Sequence, residues 1–118
     1  MNILGIGNAI VDVICKVGDE FLAKNNLTKS NMKLIDKLEF KKLLSNLTIE
    51  ETVSGGSVAN SIVGLSQLGN EVGFIGKISD DDLGQQYEQG LKKENVEYFY
   101  EKKTESLPTG TCLILITP

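Results

Sequence analysis

The chain has 118 residues, 41% hydrophobic and 24% charged, the balance of a soluble globular domain rather than of a disordered segment. Its 12 Lys or Arg against 16 Asp or Glu give a net charge of −4, which argues against a nucleic-acid footprint built on clustered cations. It contains no His, which excludes a Ser-His-Asp triad, a HExxH zinc site and a histidine proton relay.

Cys15 and Cys112 are too few for a four-cysteine zinc site or a disulfide framework, and reduced thiols in a cytoplasmic protein are the better expectation. The apolar start, residues 1–17, has no basic leader and carries Asn8 and Asp12, so it does not read as a signal peptide. No stretch reaches membrane-spanning length. Length predicts one domain.

Residues 2–7 are short, apolar and end in glycine, as a buried strand does. Residues 10–17 continue in β-branched side chains and predict a second strand. A short helix is expected over 19–26. A better one starts at Asp36, with Glu39 completing a capping box, Ile35 and Phe40 forming a hydrophobic staple, and Phe40, Leu43, Leu44 and Leu47 making an apolar stripe. Residues 49–53 read as a strand. Gly55-Gly56 breaks the chain before a helix reaching Leu68, with Gly69 as its left-handed cap. Residues 72–78 predict a strand, and 81–95 a helix interrupted by Gly84 and Gly90, each a cost relative to alanine. Strands over 97–102 and 111–117, joined through a turn at Pro108-Thr109-Gly110, complete the chain. Strands alternating with helices imply an α/β domain with parallel pairing. Leu113-Ile114-Leu115-Ile116 is of core quality and lies two residues from the end, which suggests the leading part of something larger.

Eight of the 12 glycines fall between Gly55 and Gly90, where backbone takes positive φ or approaches a ligand closely. Gly55-Gly56-Ser57 opens a helix, whose first N–H groups suit ligand oxygens. Asn60 lies one turn inside it, able to donate to and accept from a hydroxyl. The plainer alternative is a tight turn, a helix cap and a solvated Asn. Alternation places Ile10, Asp12 and Ile14 on one strand face, where a carboxylate needs a partner such as sugar hydroxyls. The alternative is an edge strand showing one charge to water. Asn8 follows the first strand, where open α/β sheets place ligand loops, and a turn-forming Asn is equally consistent.

Two phosphate motifs fail. Gly5-Ile6-Gly7 has Ile10 where the dinucleotide fingerprint needs its third glycine, and Gly76-Lys77 has Glu71 and Ile78 at the other P-loop positions. Asp80-Asp81-Asp82 lacks EF-hand spacing and reads as a loop leading into a helix. Tyr98, Phe99 and Tyr100 read as strand packing, since no basic patch accompanies them.

The segment Gly5 through Asp12 resembles the first strand and turn of the PfkB, or ribokinase-like, carbohydrate kinase family. Gly55-Gly56-Ser57-Val58-Ala59-Asn60-Ser61 with Gly64 and Leu68-Gly69 resembles its first signature. Residues 72–84 resemble the stretch that follows, and Pro108-Thr109-Gly110-Thr111 the turn before its next strand. The resemblance implies an α/β fold, a ribokinase-like parallel sheet flanked by helices with a small β-sheet lid, incomplete in this chain. Residues 1–118 would be the N-terminal part of one kinase domain, with lid strands near 10–17, 97–102 and 111–117, and a homodimer through the lid is consistent with some members. Asp12 and Asn60 would hold sugar hydroxyls, Gly55 and Gly56 would close over them, and Asn8 and Ser57 would shape the pocket. Asn8, Ser57 and Val58 resemble the adenosine-kinase branch, implying a nucleoside or sugar as the small-molecule partner. Val58, where sugar kinases more often have Gly, Ala or Pro, and Ser79, where glycine is commoner, depart from the pattern. The catalytic Asp, its anion hole and the residues binding ATP and Mg2+ would lie C-terminal of Pro118, leaving no catalytic residue in this chain. Sugar kinases of the ribokinase and fructokinase type, and a non-catalytic α/β binding or dimerisation module, are the alternative expectations.

Overall fold

The computed structural model describes residues 2–104 and 106–118. In chain order these form β1 (Ile3–Ile6), β2 (Ile10–Lys16), α1 (Asp19–Lys24), α2 (Lys37–Leu44), β3 (Glu51–Gly55), α3 (Ser57–Gln67), β4 (Val72–Ile75), α4 (Asp82–Lys93), β5 (Val96–Tyr98) and β6 (Gly110–Ile116). They divide into two compact units, residues 1–12 with 53–112 and residues 13–52 with 113–118.

In the first unit, β1, β4 and β5 form a parallel sheet in that order, with Ile3 opposite Val72 and Val72 opposite Val96. Parallel neighbours need a crossover, and α4 supplies it between β4 and β5. α3 lies so close to β1 that a methyl at Gly5 would stand 2.6 Å from Ile62 Cγ1, and one at Gly7 2.8 Å from Val58 Cβ. Both positions therefore require glycine for packing. Phe74, Tyr87 and Leu91 are fully buried, and the rings of Phe74, Tyr87 and Tyr98 pack with centroids 6.2–6.4 Å apart.

The second sheet has the order β3-β2-β6. β3 runs antiparallel to β2, since Glu50 N donates to Ile14 O at 2.8 Å while Gly55 stands beside Asp12 and Ile10. β6 runs parallel, with Gly110 against Ala9 and Val17 N donating to Ile116 O at 2.9 Å. The expectation that 97–102 joins 10–17 and 111–117 in one sheet is corrected here. Residues 96–98 pair with β4, and the third strand beside β2 and β6 is β3. Val96 is buried in the α4-side core, and the short connection after α4 returns the chain next to β4, so local geometry selects that partner.

In the second unit, Asp36 caps α2 by accepting from Glu39 N at 2.8 Å. Glu39 does not complete a reciprocal box but pairs with Lys33 at 2.8 Å. Leu22 and Leu43 are buried there. α3 ends in a Schellman motif: Gly69 has φ +89°, Gly69 N donates to Ser66 O, and Asn70 N to Leu65 O.

Candidate functional site

All six residues singled out from the sequence lie in the first unit. β2 is a central strand, not an edge. Its alternation buries Val11, Val13 and Cys15, leaving Ile10, Asp12 and Ile14 half-buried on the other face. Asp12 is thus held on a covered strand with its carboxylate reaching the more open side. It accepts no hydrogen bond from any described residue, and burial pushes its carboxyl above the usual range. The same carboxylate, after burial, helps push the nearby Cys112 thiol up.

Opposite Asp12 the backbone of β3 has no side chain to intervene. A methyl at Gly55 would stand 2.6 Å from Asp12 Oδ2 and 3.3 Å from Ile10 O. At Gly56, φ is +101°, and an added Cβ would fall onto the Asn8 carbonyl oxygen. The two glycines serve different needs: the first gives space to a carboxylate, the second permits a left-handed turn packed on the loop after β1. Gly56 is the N-cap of α3 and provides no side-chain cap. Asn60 N donates to Gly56 O at 2.9 Å, closing the first helical turn. The Asn60 and Ser57 side chains are exposed, and Ser57 O accepts from Ser61 Oγ at 3.1 Å. The α3 face opposite them carries buried Ala59 and Ile62.

The structure therefore brings together Asn8, Asp12, Gly55 and Gly56 around one turn, with Ser57 and Asn60 on the helix that the turn begins. It offers a carboxylate acceptor, amide groups and uncapped helix N–H groups, a set suited to hydroxyls. None of the six side chains is cationic. Among the described residues no group of three or more His, Cys, Asp or Glu could hold a metal ion. A cavity of about 370 Å³ in the second unit, lined by Leu22, Lys29, Leu43, Leu113 and Leu115 among others, takes in none of the six.

Sequence reasoning missed two supports, one beneath the Gly55-Gly56 turn and one at the turn before β6. Tyr87, fully buried in α4, donates its hydroxyl to Gly55 O at 3.2 Å. Asp81, expected in the loop that leads into the 81–95 helix, is the N-cap of α4, accepting from Gly84 N, and beyond that expectation it also accepts from Thr109 N and Thr109 Oγ1. Burial acts to raise the Asp81 carboxyl, yet the bonds from Thr109 and Gly84 outweigh it and hold it below the usual range. The only sequence signal for the second support was the pairing of an Asp three residues before Gly84 with a Thr in a Pro-Thr-Gly turn. The first had none, because a Tyr on a helix stripe reads as core.

Known proteins resemble this arrangement along nearly the whole chain. The structure superposes on adenosine kinase from Sinorhizobium meliloti with a TM-score of 0.84 and 33% identity, covering 98% of this chain and 35% of that one. A probable sugar kinase from Rhizobium etli gives a TM-score of 0.84 at 34% identity, again over 98% of this chain and 35% of the other. In sequence, adenosine kinase 2 of Arabidopsis thaliana is 29% identical over 97% of this chain and 34% of its own length. A 5-dehydro-2-deoxygluconokinase of Mesomycoplasma hyopneumoniae is 36% identical over 62% of this chain and 22% of its own length. The chain thus spans about a third or less of the relatives it matches. No helix among the described residues is long and apolar enough to cross a membrane. The pattern of the pfkB family of carbohydrate kinases matches residues 30–118, most of the chain, and the chain belongs to that family.

Proposed function

We propose that this chain is the substrate-binding N-terminal portion of an ATP-dependent kinase that phosphorylates the 5′-hydroxyl of adenosine or a related ribosyl substrate. The observation that carries the reading is the half-buried Asp12 carboxylate, which has no hydrogen-bond partner among the described residues and stands against Gly55. A half-buried carboxylate without a donor is costly, and two vicinal hydroxyls supply donors. Asn60 and Asn8 add amide groups, and Ser57 and Gly56 bound the seat. The similarity to adenosine kinases over 97–98% of the chain supports the nucleoside.

Transfer of a phosphoryl group needs cationic or N–H stabilisation of the γ-phosphate and a base at the accepting hydroxyl. In this reading the Asp12 carboxylate and the N–H groups at the start of α3 are engaged with the substrate's hydroxyls and no cation accompanies them, so the role here is to bind and orient. ATP, Mg2+ and the catalytic Asp belong, in this reading, to residues C-terminal of Pro118, and the 118-residue chain alone turns over no ATP. The two free cysteines fit a cytoplasmic setting, and the β3-β2-β6 sheet is the surface through which a homodimer would form.

A second reading, a sugar kinase, is favoured by the 36% identity to a 5-dehydro-2-deoxygluconokinase. The complete gene product, assayed for ADP release with adenosine, ribose, fructose and 5-dehydro-2-deoxygluconate, separates the two. Highest kcat/KM with adenosine supports the nucleoside. Highest kcat/KM with a sugar supports the second reading, and absence of turnover with all four favours a non-catalytic module.

A further inference from the structure

The Gly55-Gly56 turn has to keep its place against Asp12 although neither glycine has a side chain to lock it, and β3 ends at Gly55. What fixes it comes from beneath. Tyr87 Oη donates to Gly55 O at 3.2 Å, and one residue earlier Ser54 Oγ donates to Tyr87 O at 3.2 Å, so one helical residue is bonded to both Ser54 and Gly55. Gly90, one turn further along α4, lets the helix come this close, because a Cβ there would fall onto Ser54 Oγ. Tyr87 itself cannot drift: it is fully buried, with the Phe74 and Tyr98 rings at 6.3 and 6.2 Å. Tyr98 is in turn anchored by donating its hydroxyl to Gly76 O.

We propose that Tyr87 is a positioning residue for the substrate seat, its buried hydroxyl holding the Gly55 carbonyl so that the glycine turn stays in register with the Asp12 carboxylate. A phenylalanine would satisfy the packing equally well. The hydroxyl is the part that core formation does not require, and its bond ends on the one residue whose added Cβ would meet Asp12 Oδ2 at 2.6 Å. Without it, the Gly55 carbonyl is left without this donor, and the turn is free to lift from the carboxylate by the fraction of an ångström that orientation of a hydroxyl is sensitive to.

The inference rests on the proposed seat at Asp12, and the test keeps the two apart. In the complete kinase, steady-state constants for the alcohol substrate and for ATP are measured for the wild type, Tyr87→Phe and Asp12→Asn, with the folded fraction of each read by near-UV circular dichroism. The expected result for Tyr87→Phe is a rise of about 5- to 10-fold in KM for the alcohol substrate, the size of one lost hydrogen bond, with KM for ATP within 2-fold or so of wild type. A role in stability alone lowers the active fraction, and therefore kcat, without moving either KM. That pattern, or an unchanged KM, overturns the proposal while a large effect of Asp12→Asn leaves the seat standing. An Asp12→Asn variant with wild-type KM overturns the seat and the inference together.

Discussion

The Thr109 hydroxyl donates to the Asp81 carboxylate at 2.6 Å, joining the turn before β6 to the N-terminus of α4. Thr109 is 2% exposed, and its oxygen also accepts from Ser79 N at 3.0 Å. Thr109 N and Gly84 N complete the set of donors on Asp81. One carboxylate therefore caps a helix and pins a loop 28 residues away.

Asp81→Asn removes the charge that those donors favour. Because the folded-state carboxyl is held below its ordinary value of 3.8, its contribution to stability is present above that pH and is lost as pH falls through the depressed value. The variant should be destabilised by about 1–2 kcal/mol at neutral pH, the range of a lost helix cap with charge-assisted bonds. The difference from wild type should shrink in acid below pH 3.8. Urea titrations at neutral pH and in acid check both, and an equal difference at the two pH values would contradict the assignment.

Asp12 predicts the opposite sign. Burial raises its carboxyl above 3.8 with no compensating donor, so the folded state binds the proton more tightly than the unfolded chain does. Its contribution is then present below that value and is lost as pH rises through the folded-state pKa. Asp12→Asn should melt at a higher temperature than wild type near pH 7, with the gain disappearing below pH 3.8. The same variant should lose substrate binding by ~10-fold or more, as expected when a charge-assisted acceptor is removed. Thermal melts across pH and a substrate titration give the two halves of this exchange. A variant less stable than wild type at pH 7 would mean that the carboxylate has a partner.

The strands and helices of the first unit were legible because their signals are local: β-branched runs, a Gly-Gly break before an apolar stripe, and Gly69 after one. Asp36 as a cap was legible for the same reason. The identity of the strand beside β2 was not. Residues 51–55 and 97–102 are both short and mixed in character, and pairing is decided by where the preceding helix returns the chain, which no local pattern records. The glycine turn and Asp12 could be singled out as anomalies, yet the distance between them depends on antiparallel pairing of β3 with β2. Tyr87 was hidden because a hydroxyl at the end of a buried ring leaves no trace in periodicity.

The helix glycines offer a test of packing against propensity. Alanine in a helix interior is favoured over glycine by about 0.8–1 kcal/mol. At Gly64 a Cβ would meet nothing within 4 Å, so Gly64→Ala should stabilise the chain by roughly that amount. At Gly84 a Cβ would run into the Ser79 carbonyl oxygen and stand 2.9 Å from Thr109 Oγ1. These atoms belong to backbone and to the Asp81 network, neither of which can yield cheaply. Overpacking costs about 1–3 kcal/mol, which outweighs propensity, and Gly84→Ala should be a net loss. Chemical denaturation of the two variants side by side should give shifts of opposite sign; a gain in both would show that propensity alone governs α3 and α4, and a loss in both that Gly64 is packed as tightly as Gly84.

The adjacent glycines of the turn should fail in different ways. Gly55 is conformationally ordinary, but a Cβ there would stand 2.6 Å from Asp12 Oδ2 and 3.1 Å from Asp12 Cγ. The carboxylate is a side-chain end and can swing aside, so Gly55→Ala should fold, with a loss under about 2 kcal/mol, and should bind substrate at least ~10-fold more weakly because the acceptor has moved. Gly56 combines φ +101° with a Cβ that would overlap the Asn8 carbonyl oxygen, so backbone strain and a backbone clash act together. Gly56→Ala should cost about 2–4 kcal/mol in stability, and its binding defect should follow from unfolding. Measuring substrate affinity on the folded fraction of each variant separates the two. Gly55→Ala with native affinity would show that the Asp12 carboxylate does not have to stand where the glycine leaves room for it.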